Sequence, residues 1–246
     1  MSFRHSQILD RARQDGKVTV EGLAKAFDVT LQTIRRDLTE LAEQGRLERV
    51  HGGAVLPSGL TNIGYEERRR LNDDAKARIG SACAAEIQNG TSIFLGIGTT
   101  CEAVARALVH HENLLVVTNN LNAVPILSAN TRCKVIVTGG NLRASDAGLV
   151  GAQAAATVRQ FKFDSAIIGC SAMDENGGLY DYDLDEVIVS QAAIESSHAT
   201  TLIADNSKFG RKAPARVASL VDIDIFCTDI NPMFVAHTKH NRLVVI

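Results

Sequence analysis

Gln32, Thr33, Arg35 and Arg36 crowd into one short segment, DVTLQTIRRDL, whose apolar residues fall at helical spacing. Ile34, Leu38 and Leu41 stand at i, i+4 and i+7 and make one apolar stripe. Gln32, Thr33 and Arg36 fall on the other side, at spacings that bring them together. Such a face has a definite chemistry. Arginine can pair in bidentate fashion with the edge of guanine, and glutamine with that of adenine. Arg35 would meet a phosphate, which gives affinity without sequence information. Two adjacent arginines can equally be a solvated helix face, so the elements around them must decide.

Those elements come in a telling order. Ile8, Leu9 and Ala12 mark a first helix, residues 17–20 a short strand, and Leu23, Ala24 and Phe27 a second helix. Asp28-Val29-Thr30 makes a turn, with the Thr30 hydroxyl placed to cap the third helix over residues 31–44. Gly45 ends it. Residues 46–50 and 54–56 flank His51-Gly52-Gly53 and read as a β-hairpin, both glycines permitting positive φ at its turn. This is a winged helix-turn-helix, with Arg49 and His51 on the wing where they can touch the backbone or the minor groove of double-stranded DNA.

A second group of residues has the chemistry of an anion site. Phosphates in α/β sheets bind where strands end and helices begin. Gly98, Thr99 and Thr100 follow an apolar run and open a helix; small residues bring backbone N–H groups close to an anion, and the hydroxyls add donors. Asn119 and Asn120 follow the next run, and Gly139 and Gly140 the one after, with Arg143 and Asp146 beyond. Arg143 is placed to clamp a phosphate. Further on, Glu186 closes the acidic stretch DYDLDE, and Lys208 in DNSKFG offers a second cation. Each segment alone has a plainer reading: a tight βα turn, an Asx turn or helix cap, or acids that complement a helix dipole. Their convergence on one sheet edge favours a site.

The elements that must hold them are legible. Strands are expected at 92–97, 114–118, 134–138, 165–169, 200–204, 223–228 and 243–246, most of them continuous apolar runs suited to a sheet covered on both faces. Helices are expected at 75–87, 102–109, 122–128, 151–160 and 184–196. Strand then helix, repeated, is an α/β domain with a largely parallel sheet. The expected organisation is a winged helix-turn-helix over 1–57, a polar linker over 58–72 and an α/β domain over 73–246.

Composition is compatible. Of 246 residues, 45% are hydrophobic and 22% charged, which argues against disorder. The net charge of −2 does not advertise nucleic-acid binding, and its distribution is nearly even: residues 1–51 hold 9 Lys/Arg against 8 Asp/Glu, leaving −3 for the rest. Cys83, Cys101, Cys133, Cys170 and Cys227 form no CxxC pair and are expected as reduced, buried thiols. No run of 18 apolar residues occurs, and Arg4, His5, Asp10, Arg11 and Arg13 interrupt the start. A cytoplasmic protein without metal or cofactor is expected.

Residues 28–55, DVTLQTIRRDLTELAEQGRLERVHGGAV, resemble the signature of the DeoR family: a TIRRDL helix, then a G-x-L-x-R-x-H-G-G-A wing. IGTT, VTNNL, TGGNLR, the D-Y-D-x-x-E-V stretch and D-x-S-K-F-G resemble that family's sensor domain, so the likeness spans nearly the whole chain. The resemblance implies a transcriptional repressor, not an enzyme, that binds operator DNA as a homodimer or homotetramer. It implies a sensor similar in fold to ribose-5-phosphate isomerase, and an effector site for a phosphorylated sugar or polyol at Gly98, Thr99, Thr100, Asn119, Asn120, Gly139, Gly140, Arg143, Glu186 and Lys208. The DNA contacts expected from the helix and wing are Thr30, Gln32, Thr33, Arg35, Arg36, Arg49 and His51. GLYDYDLDEV and GTTCEAVARAL favour the branch that governs glycerol catabolism, with glycerol 3-phosphate as effector. The chain departs from the family at Ser190 and Gln191, where Lys or Arg is frequent, and at Gly96, where that branch often has Asp. The alternatives are an isomerase-like enzyme with a DNA-binding head, Glu186 or a nearby Asp serving as base, and an architectural DNA-binding protein.

Overall fold

A computed structural model describes residues 3–15, 17–43, 46–50, 52–55, 64–230 and 242–246. The chain divides into two units, Met1–Arg68 and Arg69–Ile246.

The first unit begins with α1 (Phe3–Asp15), β1 (Lys17–Thr19), α2 (Val20–Phe27) and α3 (Leu31–Glu43), followed by β2 (Glu48–Val50) and β3 (Gly53–Val55). The strands form an antiparallel sheet in the order β1-β3-β2. Ile8, Leu23, Ile34, Leu38, Leu41 and Leu47 are almost wholly buried in one core, so the stripe on α3 faces α1 and α2. Thr19 caps α2 by accepting from Gly22 N–H, and Asp28 ends it in the left-handed region at φ 51°. The Thr33 N–H donates to Thr30 Oγ1 at 3.2 Å, which is the cap expected for α3.

One feature differs from expectation. Gly52 has a positive φ of 74°, but Gly53 does not; it lies in β3. A Cβ at Gly53 would stand 2.0 Å from the Val18 carbonyl oxygen, so this glycine is needed for close approach of β3 to β1. The acid in the TIRRDL helix is structural. Asp37 is 2% exposed and accepts from Arg4 Nε at 2.5 Å and Nη2 at 3.1 Å, with His5 Nε2 at 3.3 Å. Burial pushes its carboxyl upward, but the Arg4 hydrogen bond and charge outweigh that and hold it below the usual range.

The second unit carries α4 (Tyr65–Arg70) across its boundary, then α5 (Asp73–Ala85), β4 (Ser92–Leu95), α6 (Thr99–Ala107), β5 (Leu114–Thr118), α7 (Ala123–Leu127) and β6 (Cys133–Val137). A hairpin of β7 (Asn141–Arg143) and β8 (Gly148–Val150) precedes α8 (Ala152–Val158) and β9 (Phe163–Ile168). There follow β10 (Ala172–Met173), β11 (Gly178–Asp181), α9 (Leu184–Glu195), β12 (Ser197–Ile203), β13 (Ala215–Ser219), β14 (Ile225–Thr228) and β15 (Arg242–Val245). Residues 65–70, read as part of a polar linker, are helical; 58–63 lie outside the described residues.

All seven expected α/β strands enter one parallel sheet in the order β15-β14-β12-β9-β4-β5-β6. Helices cover both faces. Ile79, Cys83, Cys101 and Val104 of α5 and α6 pack with Ile93 and Leu95 on one side; Ala154, Val158, Val187 and Ala192 of α8 and α9 pack with Phe94, Phe163 and Ile168 on the other. This double burial is why the strands read as unbroken apolar runs. The hairpin β7–β8 and the small antiparallel sheet β10-β11-β13 were not foreseen; their strands are too short and mixed to announce themselves. All five cysteines are free thiols.

Candidate functional site

On the first unit, Thr30, Gln32, Thr33, Arg35, Arg36 and Thr39 line a shallow concavity of about 550 Å³ on the outer side of α3. The Thr30 and Thr33 hydroxyls share a hydrogen bond of 2.9 Å, and Thr39 Oγ1 donates to the Arg35 carbonyl at 2.8 Å. Arg36 Nε lies 3.4 Å from Glu40 Oε1, one turn on, and the Arg36 side chain is 75% exposed. An ion pair so open to water is weak and readily exchanged for another partner. Arg49 is exposed on β2. His51, expected beside it, lies outside the described residues.

On the second unit the sheet order sets the site. From β4 the chain steps outward through β5 to β6, then returns to β9 and steps outward the other way. The reversal lies between β4 and β9, and ligands of such sheets bind beyond the strand ends at this point. Gly98 opens α6 there with a φ of 129°, and a Cβ at Gly98 would meet nothing within 4 Å. Thr99 and Thr100, each 8% exposed, form its first turn. The N–H groups at a helix N-terminus and the helix dipole favour an anion.

The asparagines after β5 divide their duties. Asn120 is fully buried and committed: its Nδ2 donates to the Gly96 carbonyl at 3.4 Å and its Oδ1 accepts from Asn122 N–H at 3.0 Å. It is the Asx turn that was the plainer reading, and it bolts the β5 loop to the β4 loop. Asn119 Nδ2 donates to the Leu149 carbonyl at 3.0 Å, while its Oδ1, buried, has no hydrogen-bond partner among the described residues. Gly139, at φ 71°, has open space where a Cβ would be, whereas a Cβ at Gly140 would come 2.8 Å from the Val150 carbonyl oxygen. Gly140 therefore serves packing of the hairpin onto α8.

Arg143 departs most from expectation. Its Nε and Nη2 reach both carboxylate oxygens of Asp146 at 2.8 and 2.9 Å, its Nη1 reaches Asp183 at 2.7 Å, and its Nη2 reaches Glu186 at 2.5 Å. A guanidinium whose Nε, Nη1 and Nη2 are all taken by the side chains of Asp146, Asp183 and Glu186 has no edge left for an anion and does not fit the phosphate-clamping role read from the sequence. Burial works against its charge, but these acids hold the guanidinium more firmly protonated than usual. Burial raises Glu186 to about 8, the nearby Asp181 adding to the effect and Arg143 opposing it. Asp181, also buried and hydrogen-bonded by Ser171, is raised as well. Asp183 in addition caps α9 by accepting from Asp185 N–H, so the dipole reading of the acidic stretch holds alongside the ion-pair one.

At the end of β12, Asp205 is 0% exposed and caps the turn Asn206–Lys208 through Ser207 N–H at 2.9 Å. Burial raises its carboxyl, but the Lys208 charge and these hydrogen bonds bring it below the usual range. Asp205 Oδ2 and Ser207 Oγ are buried without a hydrogen-bond partner among the described residues. Asp181, Asp183, Asp205 and Ser207 were not foreseen as site residues; their roles come from contacts across the fold. Among the described residues there is no cluster fit for a metal ion, and no helix is long and apolar enough to cross a membrane.

The family model of the DeoR-like helix-turn-helix domain matches residues 4–59, and that of the DeoR C terminal sensor domain matches residues 71–230. The chain is 42% identical over 229 residues to the glycerol-3-phosphate regulon repressor of Escherichia coli (strain K12), covering 93% of this chain and 91% of that protein. It is 43% identical over 246 residues to the protein of the same name from Haemophilus influenzae, covering 100% and 96%. Among solved structures, ribose 5-phosphate isomerase A from Methanocaldococcus jannaschii aligns over 57% of this chain and 56% of that one, with 14% identity and a TM-score of 0.43. The relatives are named for repression, which sets aside the isomerase alternative. A helix capped by Thr30, an antiparallel wing, a parallel sheet covered on both faces and both family matches agree: the chain belongs to the DeoR family of transcriptional repressors.

Proposed function

We propose that this repressor responds to a phosphorylated polyol, glycerol 3-phosphate first among them, and leaves its operator when the ligand binds at the carboxyl edge of the sensor sheet. The observation that carries this is the N-terminus of α6, opened by Gly98 at the reversal of strand order. The phosphate lies on the amides of residues 98–100 with the Thr99 and Thr100 hydroxyls, and Lys208 supplies the countercharge. The polyol hydroxyls donate to Asn119 Oδ1 and Asp205 Oδ2, buried acceptors without a hydrogen-bond partner among the described residues. Glu186, carrying a proton near neutrality, is a donor held in place by Arg143. Gly139 leaves room at the rim. Asn120 and Gly140 act from behind by fixing loops. The Escherichia coli and Haemophilus influenzae relatives are named as repressors of the glycerol-3-phosphate regulon, which agrees with this effector.

On the DNA, Gln32, Thr33 and Arg36 read base edges, and Thr30, Arg35, Arg49 and His51 hold the backbone. A single winged helix has limited affinity, so the repressor binds as a cytoplasmic homodimer or homotetramer on half-sites about 34–36 Å apart. The test is a gel shift on the duplex upstream of its own gene. Binding is expected to weaken roughly tenfold or more with glycerol 3-phosphate, and less with fructose 1-phosphate or tagatose phosphates. Tighter binding in ligand would reverse the sign, and no preference over random duplex would end the proposal.

A further inference from the structure

Asn72 stands between two helices. α4 ends at Arg70 and α5 begins at Asp73, and Asn72 between them takes the left-handed conformation, φ 54° and ψ 37°. Asparagine tolerates that region better than most residues, but it is not the default for an L residue between helices. The first turn of α5 closes on the residues of the break. Lys76 N–H donates to the Asn72 carbonyl at 2.9 Å, and the Lys76 side chain, 3% exposed, donates to the Leu71 carbonyl. A change at Asn72 from the left-handed to the right-handed region would extend α5 by one residue toward α4.

What holds the break is distant in sequence. Asn72 Nδ2 donates to Asp205 Oδ1 at 2.9 Å and to Asn206 Oδ1 at 3.0 Å. With its amide so engaged, Asn72 makes no side-chain cap for α5. Asp205 is the fully buried acid that caps the turn bearing Lys208, and its charge is coupled to that of Lys208. The tether therefore ends on the turn to which the effector phosphate is assigned above.

We propose that Asn72 is a positioning residue that couples effector binding to release of DNA. Resting on the effector reading, it acts as a two-state joint. A phosphate drawn to Lys208 shifts the balance of charge at Asp205 and moves the turn 205–208. The tether loosens, and Asn72 exchanges its left-handed conformation for the right-handed one. The mechanism needs a bistable element whose two states bind the ligand differently, and the tether supplies the difference.

The test uses the full-length protein and two variants. Asn72→Ala removes the amide and disfavours the left-handed state; Asn72→Gly removes the amide but keeps that state accessible. Effector binding is read by isothermal titration with glycerol 3-phosphate, and release by operator affinity with and without it. Both variants are expected to bind glycerol 3-phosphate within about threefold of wild type. The roughly tenfold loss of operator affinity it causes in wild type should shrink to about twofold or less. Hydrogen exchange over residues 65–76 should slow on ligand addition in wild type and be unresponsive in Asn72→Gly. Wild-type release with equal release of both variants overturns the coupling alone. A wild type that binds none of the phosphates and is not released overturns the effector reading and the coupling with it.

Discussion

Arg35 and Arg36 are neighbours in sequence with different expected duties, and two substitutions separate them. Arg36→Ala removes the proposed base-edge reader, whose ion pair with Glu40 is weak and open to water. Footprinting against specific and random duplex should show about 1–3 kcal/mol of lost discrimination, with effector binding intact. Arg35→Ala should weaken binding to all duplexes alike and lower the salt slope by about one per protomer. If Arg36→Ala still footprints the same operator, α3 is not the reading helix. Glu186 offers a test by pH. Its carboxyl lies near 8 in the folded protein against 4.5 for the ordinary group, so folding holds a proton that the unfolded chain gives up. The stabilisation is complete below about 4.5 and is lost as pH rises through about 8. Glu186→Gln mimics the protonated form. Its melting temperature should match wild type near pH 5 and exceed it at pH 9 by several degrees, since each pKa unit is about 1.4 kcal/mol. A pH-independent difference would mean that Glu186 is not the titrating group.

Among the elements, the wing shows how backbone proximity sets residue choice. The Gly53 Cα lies so close to the Val18 carbonyl that a methyl group cannot fit without parting β3 from β1. Gly53→Ala should cost about 1–3 kcal/mol, read as a lower melting temperature of the DNA-binding unit, and should weaken operator binding while leaving the sensor unchanged. Gly52→Ala, at a positive φ with open space around it, should cost less, about 1 kcal/mol. The reverse ranking would show that turn conformation, not contact with β1, governs the wing. The α3 helix is held in a similar long-range way. Asp37 binds Arg4 and His5 of α1, so the orientation of α3, and with it the face proposed to read DNA, depends on an ion pair spanning more than thirty residues.

At the scale of the molecule, the described hydrophobic clusters stay within one unit or the other: Ile8 to Ala54 in the first, and residues from Ile79 on in the second. Calorimetry should therefore resolve two transitions. Glycerol 3-phosphate at about 100 times its dissociation constant should stabilise the sensor by roughly 2.7 kcal/mol and raise that transition alone. Operator duplex should raise the other. A single transition moved by either ligand would mean that the units unfold together.

Much of this was legible from residue order. The helical stripe of Ile34, Leu38 and Leu41, the Thr30 cap, and seven apolar strands alternating with helices are local patterns, because each reflects the burial of one element. The segments that reach the carboxyl edge could be named for the same reason, since a strand end followed by glycine, threonine or asparagine is visible in the chain itself. Contacts between segments distant in sequence were not visible. Arg143 was expected to face a phosphate and instead faces Asp146, Asp183 and Glu186; Asn120 bolts two loops; Asn72 is tied to Asp205. Local sequence records what a side chain can bind. Which partner it finds depends on the crossover from β6 to β9 and the strand order that follows, and that is decided only when the sheet closes its register.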